Sequence, residues 1–123
     1  VLDLSGASVT DDGLAPLAGL EGLRGLDLSR TGTTNSGLAH VSGLASLGSL
    51  ALEETQVSDS GLASLIPLPK LERLDLSGTH VTGAALPYLQ KLKALESLDI
   101  SSTPAAETSM AKLQKALSWV SVE

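Results

Sequence analysis

The stretch Leu68 to Lys91, LPKLERLDLSGTHVTGAALPYLQK, is the clearest copy of a unit that recurs every 24 residues. Moved back one period it falls on Leu44 to Pro67, LASLGSLALEETQVSDSGLASLIP, and moved back again on Leu20 to Gly43. Moved forward it falls on Leu92 to Lys115. A fixed period of this length marks a stacked repeat architecture, in which each unit buries its apolar side only against its neighbours.

Numbered from its first leucine, the unit has Leu20, Leu44, Leu68 and Leu92 at position 1, and Leu23, Leu47, Leu71 and Leu95 at position 4. Position 7 is Leu2, Leu26, Leu50, Leu74 and Leu98; position 9 is Leu4, Leu28, Leu52, Leu76 and Ile100. Leucines two apart face one side of a strand. Position 12 is Thr31, Thr55, Thr79 and Thr103. Position 19 is Leu14, Leu38, Leu62, Leu86 and Met110, and position 22 is Leu17, Val41, Leu65, Leu89 and Leu113, a spacing that turns one face of a short helix inward.

This L-x-x-L-x-L pattern with a polar turn residue after it resembles the leucine-rich repeat family, over the whole chain. The T-D-x-x-G-L-x-x-L half, Thr10-Asp11-Asp12-Gly13-Leu14 in the first copy, is most similar to bacterial members. It is also similar to the repeats beside eukaryotic F-box segments, which usually carry Cys in a loop where this chain has none. The resemblance implies a right-handed α/β solenoid, a horseshoe segment with a parallel concave sheet and short convex helices. It implies protein binding, with a bacterial envelope or periplasmic setting as one context. Many members place Asn at position 12, bonded to the backbone of neighbouring turns; the threonines here resemble a hydroxyl version of that ladder.

Composition agrees with a solenoid. The chain has no Phe, one Trp and one Tyr, so its core must be leucine. The net charge of −6 argues against nucleic acid, whose phosphates need Lys and Arg, and permits a basic partner. With no Cys there is no disulfide framework and no thiolate metal site. No apolar run approaches the roughly 20 residues of a membrane span, so direct membrane insertion is not expected, and no signal peptide is visible.

One domain is expected over residues 1–123, with repeats 1–19, 20–43, 44–67, 68–91 and 92–115 and a partial repeat 116–123. Strands are predicted at Val1–Ser5, Gly25–Ser29, Ser49–Glu53, Arg73–Ser77 and Ser97–Ser101. Crossovers of about 19 residues make them parallel. Trp119 to Glu123 falls back into register as a sixth strand, with Trp119 at position 4 and Val122 at position 7. Thr10, Thr34, Ser58 and Thr82 are predicted helix N-caps, and Asp11 and Asp12 face the positive helix end. Convex segments are predicted near Asn35–Ser42, Asp59–Ile66, Ala84–Gln90 and Glu107–Leu117, with Lys112 to Leu117 as a longer final helix. The chain opens in mid-pattern and its ends have no evident polar cap, so it is expected to belong to a larger protein or assembly.

The candidate binding residues lie on the concave face. Position 8 is Asp3, Asp27, Ala51, Asp75 and Asp99, a column of carboxylates on strands about 4.8 Å apart. It either awaits a basic partner or is a solvated family pattern, hydrogen-bonded by the adjacent serines. Repeat three breaks the pattern: Ala51 replaces Asp, and Glu53 and Glu54 replace Ser-Gly or Ser-Arg. Gln56 follows, with Arg30 and His80 at or near the same level, and Arg73 joins the set at the start of its strand. Glu53, Asp75 and Asp99 lack the spacing of an EF-hand. His40 and His80 lie on different faces, and no G-x-S-x-G, G-x-x-x-x-G-K-[ST] or H-E-x-x-H sequence is present. No catalytic residue, cofactor or metal is therefore expected. The sequence reads as an interaction module for a protein or peptide, basic in character. The alternative is a structural subunit or domain docked by its ends and convex face into a larger complex.

Overall fold

A computed structural model describes residues 1–123. The leucine alternation forms strands at Leu2–Asp3 (β1), Gly25–Asp27 (β2), Ser49–Ala51 (β3), Arg73–Asp75 (β4), Ser97–Asp99 (β5) and Ser121–Val122 (β6). They make one parallel sheet in the order β1-β2-β3-β4-β5-β6. Leu2, Leu26, Leu50, Leu74, Leu98 and Val122 stand opposite one another, each one 24-residue period from the next. Equivalent positions therefore stack, and the fold is the α/β solenoid that the period implies.

The strands are shorter than the five residues expected, although the bonding outlasts them. Leu28 N–H donates to Ala51 O at 2.9 Å, and Arg30 N–H to Glu53 O at 2.8 Å. Regular strand geometry is lost because position 11 turns left-handed in every repeat: φ is +71° at Gly6, +55° at Arg30, +53° at Glu54, +68° at Gly78 and +57° at Ser102. Glycine adopts this conformation freely, whereas a residue with a Cβ is strained there by about 1–2 kcal/mol.

The convex side is wound mainly as 3₁₀ helix, at Asp11–Gly19, Ala39–Val41, Asp59–Leu65 and Gly83–Ala85. Four-residue α-helices occupy Asn35–Leu38 (α1) and Leu86–Leu89 (α2). A 3₁₀ helix rises about 2.0 Å per residue against 1.5 Å for an α-helix, so it carries the return path in fewer residues.

The core is one continuous stripe of 29 buried residues. Leu28, Leu47, Leu52, Leu62 and Leu76 have no exposed surface. Each such leucine contributes roughly 1.5–3 kcal/mol relative to exposure. Position 14 adds Val57, Val81 and Ala105, with Thr33 fully buried in the same place. The Thr33 hydroxyl is satisfied by that of Thr31 at 2.8 Å.

Three local expectations are corrected. The position-12 threonines do not bridge neighbouring turns. Thr31, Thr55 and Thr79 donate to Leu28 O, Leu52 O and Leu76 O, three residues back in the same repeat, at 2.6, 2.8 and 2.6 Å. Thr103 does the same to Ile100 O. The hydroxyl is too short to reach the next repeat and closes its own turn.

The caps also differ. Thr34 accepts from Ser36 N–H and Thr82 from Ala84 N–H, but the side chains of Thr10 and Ser58 cap nothing. Side chains at position 16 join successive repeats. Asp11 accepts the backbone N–H of Thr34 at 2.7 Å and also its hydroxyl. Asn35 accepts the N–H of Ser58 at 2.9 Å and donates to its hydroxyl at 2.8 Å. Asp59 repeats the Asp11 arrangement at Thr82. Asp11 is thus bound to the next repeat rather than held at its own helix end.

In the last repeat a short helix at Pro104–Thr108 (α3) precedes the longer helix, which forms at Met110–Ala116 (α4). Proline fits the first turn of α3, and Thr103 caps it by accepting from Ala106 N–H at 3.2 Å. Trp119 does not fill the position-4 slot; it is 45% exposed, with the Lys93 ammonium 5.9 Å from its ring centre. Leu117 and Val120 are buried instead, one position later than positions 1 and 4. Their three-residue spacing is the same, so the slip preserves the packing.

Candidate protein-binding face

Leucines at positions 7 and 9 point into the core, so strand alternation sends position 8 to the opposite face. Asp3 stands opposite Asp27, Asp27 opposite Ala51, Ala51 opposite Asp75, and Asp75 opposite Asp99. The column is therefore continuous apart from one methyl group. Each carboxylate is held by the serine two residues on. Asp3, Asp75 and Asp99 accept from both the N–H (2.9 Å) and the hydroxyl (2.6 Å) of Ser5, Ser77 and Ser101 through one oxygen, Oδ1. Asp27 accepts only the Ser29 N–H, because the Ser29 hydroxyl turns to accept from Glu53 N–H at 3.2 Å. In every case Oδ2 has no hydrogen-bond donor from the protein. The Ser5 hydroxyl and N–H hold the Asp3 carboxyl below its usual range, helped by the charge of Arg30.

The loop residues gather at the C-terminal edge of the sheet. Arg30 and Glu53 form an exposed ion pair at 3.4 Å, and His80 and Gln56 meet at 3.2 Å. Both contacts cross from one repeat to the next. Arg30 and Glu54 hold the left-handed position 11 on adjacent repeats. Gly78 on the following repeat lies so close that a Cβ there would meet Glu54 Cγ at 2.9 Å.

Arg73 lies apart from this edge, at the first residue of β4. Asp3 and Asp99 are separated by four strand spacings, about 19 Å, so the candidate residues form an extended surface and not one compact site. A shallow hollow of about 320 Å³ lies over Ser49 and Ala51, with Arg73, Asp75 and Asp99 among its walls. No group of three or more His, Cys, Asp or Glu side chains is arranged to hold a metal. No helix is long and apolar enough to cross a membrane.

The sequence reading did not reach a second rim, at the N-terminal edge of the sheet. There Glu72, beside Glu96, raises the Glu96 carboxyl above its usual range by hydrogen bonding and by charge, against the pull of Arg73. The available signal was the pair of glutamates at position 5 of consecutive repeats.

The comparisons with known proteins agree with this geometry. Residues 1–18 match the family model described as Leucine Rich repeat. No curated protein matches the chain. Among solved structures, internalin C2 of Listeria monocytogenes is 28% identical, with a TM-score of 0.70, over 100% of this chain and 51% of that one. A second internalin of that organism is 18% identical, TM-score 0.60, over 94% of this chain and 38% of its own. A leucine-rich repeat protein of Leptospira interrogans is 22% identical, TM-score 0.64, over 82% and 25%. The chain therefore spans about half or less of the length of these structures. The six-stranded parallel sheet, the repeat and these likenesses give this chain the leucine-rich repeat fold, an α/β solenoid.

Proposed function

We propose that this protein binds a protein or peptide through its concave sheet face, and that the partner presents basic side chains there. The observation that carries the reading is the position-8 column. Asp3, Asp27, Asp75 and Asp99 are each oriented by a serine through one oxygen and keep the other free of protein donors. A carboxylate already oriented loses little freedom when an ammonium or guanidinium arrives, and charge-assisted hydrogen bonds are the stronger kind. The rim residues Arg30, Glu53, Glu54, Gln56 and His80 flank the column and set which partner is accepted.

The test is a titration of the ¹⁵N-labelled protein with tetralysine, followed by NMR. Amides of Asp27, Ala51 and Asp75 should shift, and Asp27→Asn with Asp75→Asn should weaken the response severalfold. The response should also fade with salt, as exposed charge contacts do. Shifts confined to the convex side or the ends would defeat this reading. They would favour the alternative, docking of a structural subunit into a larger complex through exposed residues such as Leu20 and Trp119.

A further inference from the structure

At position 5, repeats two, four and five carry Arg24, Glu72 and Glu96, whereas repeat three carries Gly48. The missing side chain opens a cleft of about 410 Å³ at the N-terminal edge of the sheet, lined by Arg24, Ser46, Gly48, Lys70 and Glu72. No apolar side chain lines it. It continues over Ser49 and Arg73, and both of these also border the hollow over Ala51. The cleft is thus continuous with the concave face.

Its charge is opposite to that of the molecule. Arg24, Lys70 and Arg73 face one lining carboxylate, Glu72, with Glu96 beside it, in a chain whose net charge is −6. None of the three is ion-paired, since the one salt bridge within 4.0 Å joins Arg30 to Glu53. Gly48 has a negative φ, and a Cβ built on it would lie 3.5 Å from Lys70 O and 3.7 Å from Arg24 O, an ordinary contact. The backbone therefore does not require glycine here, and the gap is a property of the surface.

We infer that this cleft receives a carboxylate side chain of the same protein partner whose basic groups lie on the aspartate column. The inference rests on the reading under Proposed function. Gly48 and Ala51 are three residue steps apart, about 10 Å at 3.3 Å per residue. The partner surface therefore carries an acidic and a basic group about 10 Å apart, and the two sites together fix its orientation. A guanidinium binds a carboxylate with two parallel hydrogen bonds, so Arg24 is the principal contact, with Lys70 as a second cation.

The experiment titrates the ¹⁵N-labelled protein with tetraglutamate and, separately, with tetralysine. Tetraglutamate should shift the amides of Arg24, Gly48, Ser49 and Glu72. The double variant Arg24→Gln, Lys70→Gln should lower that apparent affinity at least tenfold and leave the tetralysine shifts centred on Asp27 and Asp75. Both residues are exposed, so folding is preserved. Gly48→Gln, which fills the gap, should have the same selective effect. Tetraglutamate shifts spread equally over Lys91, Lys93, Lys112 and Lys115, or unaffected by the variants, would overturn the inference. An absent tetralysine response with an intact tetraglutamate response would instead overturn the aspartate-column reading alone.

Discussion

Asp59 of one repeat is bound to Thr82 of the next through both carboxylate oxygens: Oδ1 accepts the backbone N–H at 2.7 Å and Oδ2 the hydroxyl at 2.5 Å. Asp11 and Asn35 make the equivalent bonds to Thr34 and Ser58. The ladder ends at Gly83, where a Cβ would meet the hydroxyl of Ser109 at 2.4 Å. Position-18 glycines make room for it: a Cβ on Gly61 would lie 2.2 Å from Asn35 Oδ1. Ala85 occupies this position beside Asp59, so the fourth repeat accommodates a methyl group there.

Asp59→Ala removes two charge-assisted bonds and leaves the half-buried Thr82 N–H without its acceptor. Urea unfolding should show a loss of about 1.5–3 kcal/mol. Asp59→Asn should lose less, because Asn35 already serves in the same position.

Glu54 occupies a left-handed position with φ +53°. Glu54→Gly relieves that strain, partly offset by the greater freedom of glycine in the unfolded chain, for a net gain of about 0.5–1 kcal/mol. Thermal unfolding measures it. A variant that is more stable and yet binds tetralysine less tightly would show that the strain is kept for recognition.

Thr33 is fully buried where other repeats carry Val57 and Val81. Its hydroxyl meets only Thr31, which has its own acceptor at Leu28 O. Thr33→Val should raise stability by up to about 1 kcal/mol, since it puts a methyl group in place of a buried hydroxyl, as at Val57 and Val81, while Thr31 keeps its own bond to Leu28 O. A loss of stability by chemical denaturation would contradict this.

Two carboxyls give opposite pH dependence. Asp3 is held low by Ser5, so its contribution to stability is present above 3.8 and is lost as the pH falls through its folded value. Ser5→Ala should bring its NMR titration back toward 3.8. Glu96 is raised by Glu72, so it opposes folding at neutral pH, and that opposition fades as the pH falls and Glu96 takes up a proton. Glu72→Gln should therefore raise stability at pH 7 and change it little at pH 3, with the Glu96 titration moving down toward 4.5.

The period decided the fold. Leucines at positions 7 and 9 can be buried only if each strand lies beside its copy one period away, which makes the sheet parallel and places position 8 on the open face. The aspartate column and the break at Ala51, Glu53 and Glu54 follow from that register alone. Tertiary structure decided what each polar side chain bonds to. The reach of Asp11 and Asp59 into the next repeat, the turn closure by Thr31 and Thr79, the exposure of Trp119 beside buried Val120, and the cleft at Gly48 all depend on side-chain distances between repeats. A repeating pattern states which residues are neighbours. Whether a hydroxyl or a carboxylate spans the gap between them depends on a few tenths of an ångström and on side-chain length, and these exist only once the chain is stacked.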